Sequence, residues 1–192
     1  MKTMNVLKSF LLTGLFIFLP GAAVLVMAQI AQAQTDKSAP LTTMTEAQID
    51  NVLETANDGE VDLGKIAIKK SKNTHVQSFA DLMVREHKKN NDERKAAAKK
   101  DQIKGENNDV SKVIKKDAKN KVRQLKKAND AEFDRMYLES QITMHQQLLN
   151  DLDQKFIPTA QSPQFKAYLQ KTRDHIQEHL AKAQELQAAT PR

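Results

Sequence analysis

The chain has 192 residues, a formal net charge of +6 and a pI near 9.4, with 40% apolar and 28% charged residues. It has no Cys, which excludes a disulfide scaffold, Cys-based metal sites and a thiol nucleophile. Five Gly and five Pro, few aromatics and no Trp favour long helices with an aliphatic core over a turn-rich β fold.

Residues 1–33 read as a signal peptide. Lys2 and Lys8 form a positive n-region, Phe10 to Leu19 an apolar h-region, and Pro20-Gly21 breaks it. Ala31-Gln32-Ala33 is an A-x-A cleavage site, so the mature chain would start at Gln34 and lie in the periplasm or against the outer membrane. The competing reading is an uncleaved anchor, because apolar character continues to Met27. Residues 34–44 are a polar linker, 45–188 the folded domain and 189–192 a tail.

Thr45 with Gln48 makes a capping box for a first helix. Ile49, Val52, Leu53, Ala56, Leu63, Ile66 and Ala67 follow at helical period, and Glu60 occupies the slot between Ala56 and Leu63. Gly59 and Gly64 weaken that helix by roughly 1 kcal/mol each relative to Ala. They serve either local flexibility or close approach of a neighbour. Asn73 reads as a turn and N-cap, after which Val76, Phe79, Ala80, Met83 and His87 share a stripe. Glu60 lies 13 residues before that turn and His87 14 after it, so antiparallel partners would hold the two side chains at nearly one level.

Residues 88–127 carry 15 Lys or Arg against 6 Asp or Glu. Gly105-Glu106-Asn107-Asn108 marks a loop there, and residues 101–127 form a basic helical insertion with a thin apolar stripe at Val110, Val113, Ile114, Val122 and Leu125. The simplest reading is a solvated helical pair; the alternative is attraction to an anionic envelope surface. With no aromatic between Phe79 and Phe133, the segment has no stacking platform for single-stranded nucleic acid.

Asn129 with Glu132 caps a third core helix. Leu138, Ile142, His145, Leu149, Leu152 and Phe156 form its stripe, with Asp134 and Tyr137 near the same face. Pro158 ends it. Ser162-Pro163 opens a fourth helix whose stripe runs Phe165, Leu169, Thr172, Ile176, His179, Ala183 and Leu186, with His175 at the edge one turn before His179. By residue counting, His175 matches the depth of His145 better than His179 does.

Each core helix therefore places one ionisable residue in its apolar repeat: Glu60, His87, His145 and His179. Buried ionisable groups are costly unless paired or ligated. Two readings follow. One is a hydrogen-bonded polar network that fixes helix register. The other is a divalent transition metal site (Zn, Mn or Fe) with the carboxylate and three imidazoles as ligands, and with Asp134, Tyr137 and His175 supporting them from behind or adding a ligand. The inward Glu-x-x-His pairs of di-iron bundles are missing, since Val84, Ile142 and Ile176 stand three residues before the histidines. No phosphate-binding Gly loop or complete catalytic set is present.

The run Asn57 to Gly64, the segment from Phe79-Ala80 through Met83-Val84 to Glu86-His87, the string Phe133 to Leu138, then His145 and Glu178-His179-Leu180 resemble a bacterial domain-of-unknown-function family, number four-one-four-two. The resemblance covers roughly residues 45–188. It implies an exported protein, often described as an outer membrane protein, with a ferritin-like bundle. The family pattern carries Glu at the position of Glu60, His at those of His87, His145 and His179, and Asp-x-x-Tyr at Asp134 and Tyr137. This chain departs from it at Thr74, where Pro is usual, at Asp62, where Glu is common, and in its Lys-rich middle. No established activity comes with the resemblance. The expectation is an all-α, ferritin-like four-helix bundle with an additional amphipathic helical extension. It would act as a non-catalytic binding or stress-related module of the cell envelope or, in the second reading, as a metal-binding protein with possible redox activity.

Overall fold

The structure is a computed structural model that describes residues 44–190. The signal peptide read at 1–33, nearly all of the linker and the last two residues lie outside the described residues. Among the described residues there are helices and no strands. None of these helices is long and apolar enough to cross a membrane.

The elements are α1 (Glu46–Lys70), α2 (Thr74–Lys100), α3 (Asp109–Lys127), α4 (Asp130–Asp151), a π-helical turn (Leu152–Phe156), a single helical turn α5 (Ile157–Thr159) and α6 (Pro163–Ala189). Most of the expected caps form. Thr45 and Gln48 make the capping box of α1, and the side chains of Asn73 and Asn129 accept backbone N–H groups at the starts of α2 and α4. Ser162 precedes Pro163 as expected but spends its hydroxyl elsewhere: its Oγ donates to Glu46 Oε2 at 2.5 Å, which ties the start of α6 to the start of α1. Pro158 does not stop α4 cleanly. The helix first widens into the π turn, where Ile157 N–H reaches the Leu152 carbonyl, a way of accommodating a residue that has no N–H and crowds the carbonyl four positions back.

Contacts between residues distant in sequence fix the directions. Asn108 Nδ2 donates to the Gln48 carbonyl. Lys70 Nζ donates to the carbonyls of Leu125, Lys126 and Ala128. The two ends of α3 therefore meet the two ends of α1 in the same order, and the helices run parallel. Glu46 at the start of α1 meets Ser162 at the start of α6, and Glu60 meets Gln141 midway along α4. Going round the bundle, α1 packs on α2, α2 on α6, α6 on α4, and α4 closes back on α1. Neighbours are antiparallel, while α2 and α4 run the same way on a diagonal. That is the ferritin-like arrangement, with one long crossover between the second and third core helices.

The basic stretch 88–127 thus divides where the helical insertion was expected to begin, at residue 101. Residues up to Lys100 complete α2, whose inner face buries Asn90, Arg94, Ala97 and Ala98. The rest is the crossover, with α3 lying along the seam between α1 and α4. Its Lys-rich face is exposed as expected, and Ala118 and Leu125 are buried beneath it. Gly59 and Gly64 serve close approach. A Cβ at Gly59 would stand 2.9 Å from Ala118 Cβ of α3, and one at Gly64 would stand 2.8 Å from Val84 Cγ2 and 3.0 Å from the Ala80 carbonyl oxygen of α2.

Two apolar clusters fill the bundle. One contains Ile49, Leu53, Leu152, Phe156, Phe165 and Leu169, the other Leu63, Phe79, Met83, Phe133, Tyr137 and Leu138. The polar layer divides them.

A buried three-histidine centre

His87 of α2, His145 of α4 and His179 of α6 meet between the two apolar clusters. All three are buried. Their ring centroids form a nearly equilateral triangle with sides of 5.6, 5.4 and 5.5 Å. One nitrogen from each ring lies within 4.8 Å of the other two. The depth question between His175 and His179 is resolved for His179. His175 is half-buried outside the triangle.

Hydrogen bonds assign the faces of two rings. His87 Nδ1 is 2.8 Å from Asn57 Oδ1. Both protons of the Asn57 amide are engaged, Nδ2 donating to Asn90 Oδ1 at 2.9 Å and to Asn91 Oδ1 at 3.0 Å. Its oxygen therefore faces the ring and can only accept, so the proton sits on His87 Nδ1. His145 Nδ1 is 2.8 Å from the Gln141 backbone carbonyl, which likewise can only accept. Both rings consequently turn Nε2, with a bare lone pair, away from these partners. His87 Nε2, His145 Nε2 and His179 Nδ1 are buried with no hydrogen-bond partner in the protein. Buried polar atoms are normally satisfied. Three imidazoles that converge in this way could hold a metal ion.

Glu60 belongs to the layer but not to the triangle. Its Oε2 accepts from Gln141 Nε2 at 2.7 Å, and its Oε1 lies 3.8 Å from His145 Nδ1, the nitrogen on the far side of that ring from Nε2. The carboxylate expected as a fourth ligand thus backs one of the imidazoles. Glu60 and His87 line one cavity, and the residue that His87 touches on α1 is Asn57. Asp134 and Tyr137 also stand apart from the triangle. Tyr137 is fully buried between Phe79 and Phe133. Its hydroxyl, like Asp134 Oδ1, has no protein partner.

The electrostatics follow from burial. Desolvation pushes the His87 imidazole well below its usual pKa, and the neighbouring His145 and His179 push it the same way. His179 is pushed down to about 3, chiefly by desolvation and further by His145 and His175. Burial raises the Glu60 carboxyl, while His145 and the Gln141 hydrogen bond act in the opposite direction. The Tyr137 phenol is driven well above its ordinary value by burial and then by the Glu60 charge.

Beyond the triangle the polar chain continues. Asn90 Oδ1 accepts from Tyr168 Oη at 2.7 Å, and Asn90 Nδ2 donates to Thr172 Oγ1 at 2.8 Å. One turn further along α2, Arg94 donates to Asp50 at 2.6 Å and to Glu54 at 2.9 Å. Asn57, Asn90 and Gln141 were not read as site residues from the sequence. The available signal was positional: Asn57 lies four residues after Leu53 and Gln141 four before His145, on the same helix faces.

A family model described as "Domain of unknown function (DUF4142)" matches residues 31–186. No curated protein and no solved structure matches the chain.

Proposed function

Because this chain belongs to the DUF4142 family, whose shared domain comes without an assigned activity, we propose a function from its own residues: it is a helical-bundle protein that binds one divalent transition metal ion on His87, His145 and His179. The supporting observation is the set of three orphaned ring nitrogens. Asn57 and the Gln141 carbonyl hold two of the rings with their bare lone pairs turned away from these partners. A pure register network would join the rings to one another by hydrogen bonds near 2.8 Å, and these nitrogens make none. Ligands at about 2.1 Å in a tetrahedral shell stand roughly 3.4 Å apart, so a triangle with sides of at most 4.8 Å needs only a modest contraction.

The donor set narrows the metal. Imidazole suits Zn, Fe, Cu and Ni, whereas Mn prefers oxygen ligands. With Glu60 behind His145, Zn and Fe are better candidates than Mn. Asn57 and the Gln141 carbonyl take the part of groups that orient ligating histidines and raise their basicity. With the export signal read at residues 1–33, the centre would meet its ion in the cell envelope.

The test uses the mature chain without a His tag. The expected result is one ion per chain by elemental analysis and a rise in melting temperature with Zn or Fe, since an ion that binds only the folded state stabilises it by mass action. His87→Ala should abolish both. A chain that carries no metal, and whose melting does not respond to Zn, Fe, Mn, Cu or Ni, would end this reading.

A further inference from the structure

The triangle has a second feature besides its nitrogens. A cavity of about 260 Å³ lies between α1, α3 and α4, and His87, His145 and Glu60 all line it. A single water needs only roughly 10–15 Å³ of such space. The remaining walls are mostly apolar, with Ala56 and Val52 from α1, Ile114 and Ala118 from α3, and Leu148 from α4. The crossover helix is its roof. The height of that roof is set where Gly59 lets Ala118 approach α1.

Resting on the three-histidine reading above, we propose that the ion keeps an open coordination position facing this cavity, and that the position is filled by a small exogenous monoanion. Three arguments carry this. First, the group of converging donors contains three residues, while a four-coordinate ion needs one more ligand; three protein ligands plus an open position is the arrangement of reactive rather than closed metal sites. Second, a divalent ion on three imidazoles, uncharged as ligands, retains its full charge in a buried site. Even a fully ionised Glu60 leaves one positive charge uncompensated, which is costly away from water. One monoanion neutralises it. Third, the cavity reaches two of the three imidazoles, His87 and His145, without unfolding a helix, and its apolar walls leave room for a ligand larger than hydroxide. The mouth is polar, with Lys121, Asp117, Thr143, Gln147 and Asp151. Asp151 is paired there with Lys155 at 2.7 Å.

The experiment loads the tag-free mature chain with Co(II) and titrates azide while following the visible absorption bands. The bands of the wild-type protein should shift saturably. Ala56→Phe, which fills the cavity from α1, and Ile114→Trp, which fills it from the roof, should keep Co(II) while weakening the azide response at least tenfold. The second variant sits on a half-exposed surface and keeps the test decisive if the first does not fold. If Co(II) does not bind at all, the metal reading fails and this one with it. If Co(II) binds and azide leaves the bands unchanged, the metal centre stands and the open position is overturned. An azide response equal in wild type and both variants would overturn the cavity as its route.

Discussion

Asn57 Oδ1 lies 2.8 Å from His87 Nδ1, and this contact decides which nitrogen of the ring is bare. The amide is held in that orientation by Asn90 and Asn91, so a residue that touches no metal would control a metal ligand. Removing such an orienting partner typically costs 10–100-fold in affinity. Asn57→Ala should therefore weaken Zn binding by about that factor in a competition titration with a chromophoric chelator, with the helical circular dichroism unchanged. An unaltered affinity would mean that the ring is oriented by packing alone.

Metal binding and stability should separate at His179. Its Nδ1 is buried without a partner, so the metal-free chain carries a polar atom that packing does not reward. Replacing such a group by an apolar one of similar size is often neutral or stabilising. His179→Leu should leave the metal-free melting temperature equal to wild type or higher, and should remove the increment that Zn adds. A strong loss of stability without metal would show that His179 contributes to the fold itself.

The metal-free bundle should be acid-labile above the range in which carboxylates usually titrate. In the unfolded chain His87 and His179 take up protons near the ordinary value of 6.5. In the folded chain His179 does so only at about 3, and His87 well below its ordinary value. Between those limits the unfolded state binds more protons, so stability falls as pH is lowered from about 6.5 towards 3. Glu60 acts with the opposite sign. Its raised carboxyl takes up a proton in the folded chain first, which favours the fold as pH falls through its folded pKa. Two depressed imidazoles outweigh one raised carboxyl. In chelator-treated protein the urea midpoint should drop steadily from pH 7.5 to 4.5, and Glu60→Gln should steepen the drop. A flat profile would contradict the burial of the two rings.

The four core stripes were legible because apolar spacing reports which helix face is inside, and His87, His145 and His179 declared themselves by interrupting it. What the stripes do not carry is azimuth to better than one residue. On α4, Gln141 is fully buried and Ile142 only half-buried, so the face is rotated from the one that apolar residues alone suggest. The orienting groups stayed hidden for that reason. Asn57 and Gln141 are uncharged polar residues outside the apolar stripes, and their role appears only once their partners are adjacent. The ligand status of Glu60 depended on side-chain direction, which level matching along a hairpin cannot supply. The choice of His179 over His175 depended on the shape of the second hairpin, which residue counting from the turn does not supply. The crossover was legible as a helix but its place on the bundle was not, because α3 is positioned as much by tethers at its ends, Asn108 to Gln48 and Lys70 to Leu125, as by its thin stripe.

The two helical glycines make opposite demands on repair. Gly→Ala in a helix interior ordinarily gains about 1 kcal/mol. At Gly64 the new Cβ would meet Val84 Cγ2 at 2.8 Å and the Ala80 carbonyl oxygen at 3.0 Å. Neither yields easily, since Val84 is stiff at χ1 and the carbonyl belongs to helix backbone. Overpacking of this kind costs typically 1–3 kcal/mol, so Gly64→Ala should be net destabilising, by about 1 kcal/mol in urea denaturation. Gly59→Ala instead meets the Ala118 Cβ at 2.9 Å, a single atom on the crossover helix that can itself be removed. Gly59→Ala should destabilise alone, and the double variant with Ala118→Gly should recover part of the loss, giving a favourable coupling in the double-mutant cycle. Additive losses would mean that α3 rises freely from α1, and the roof of the cavity would then not be fixed by that contact.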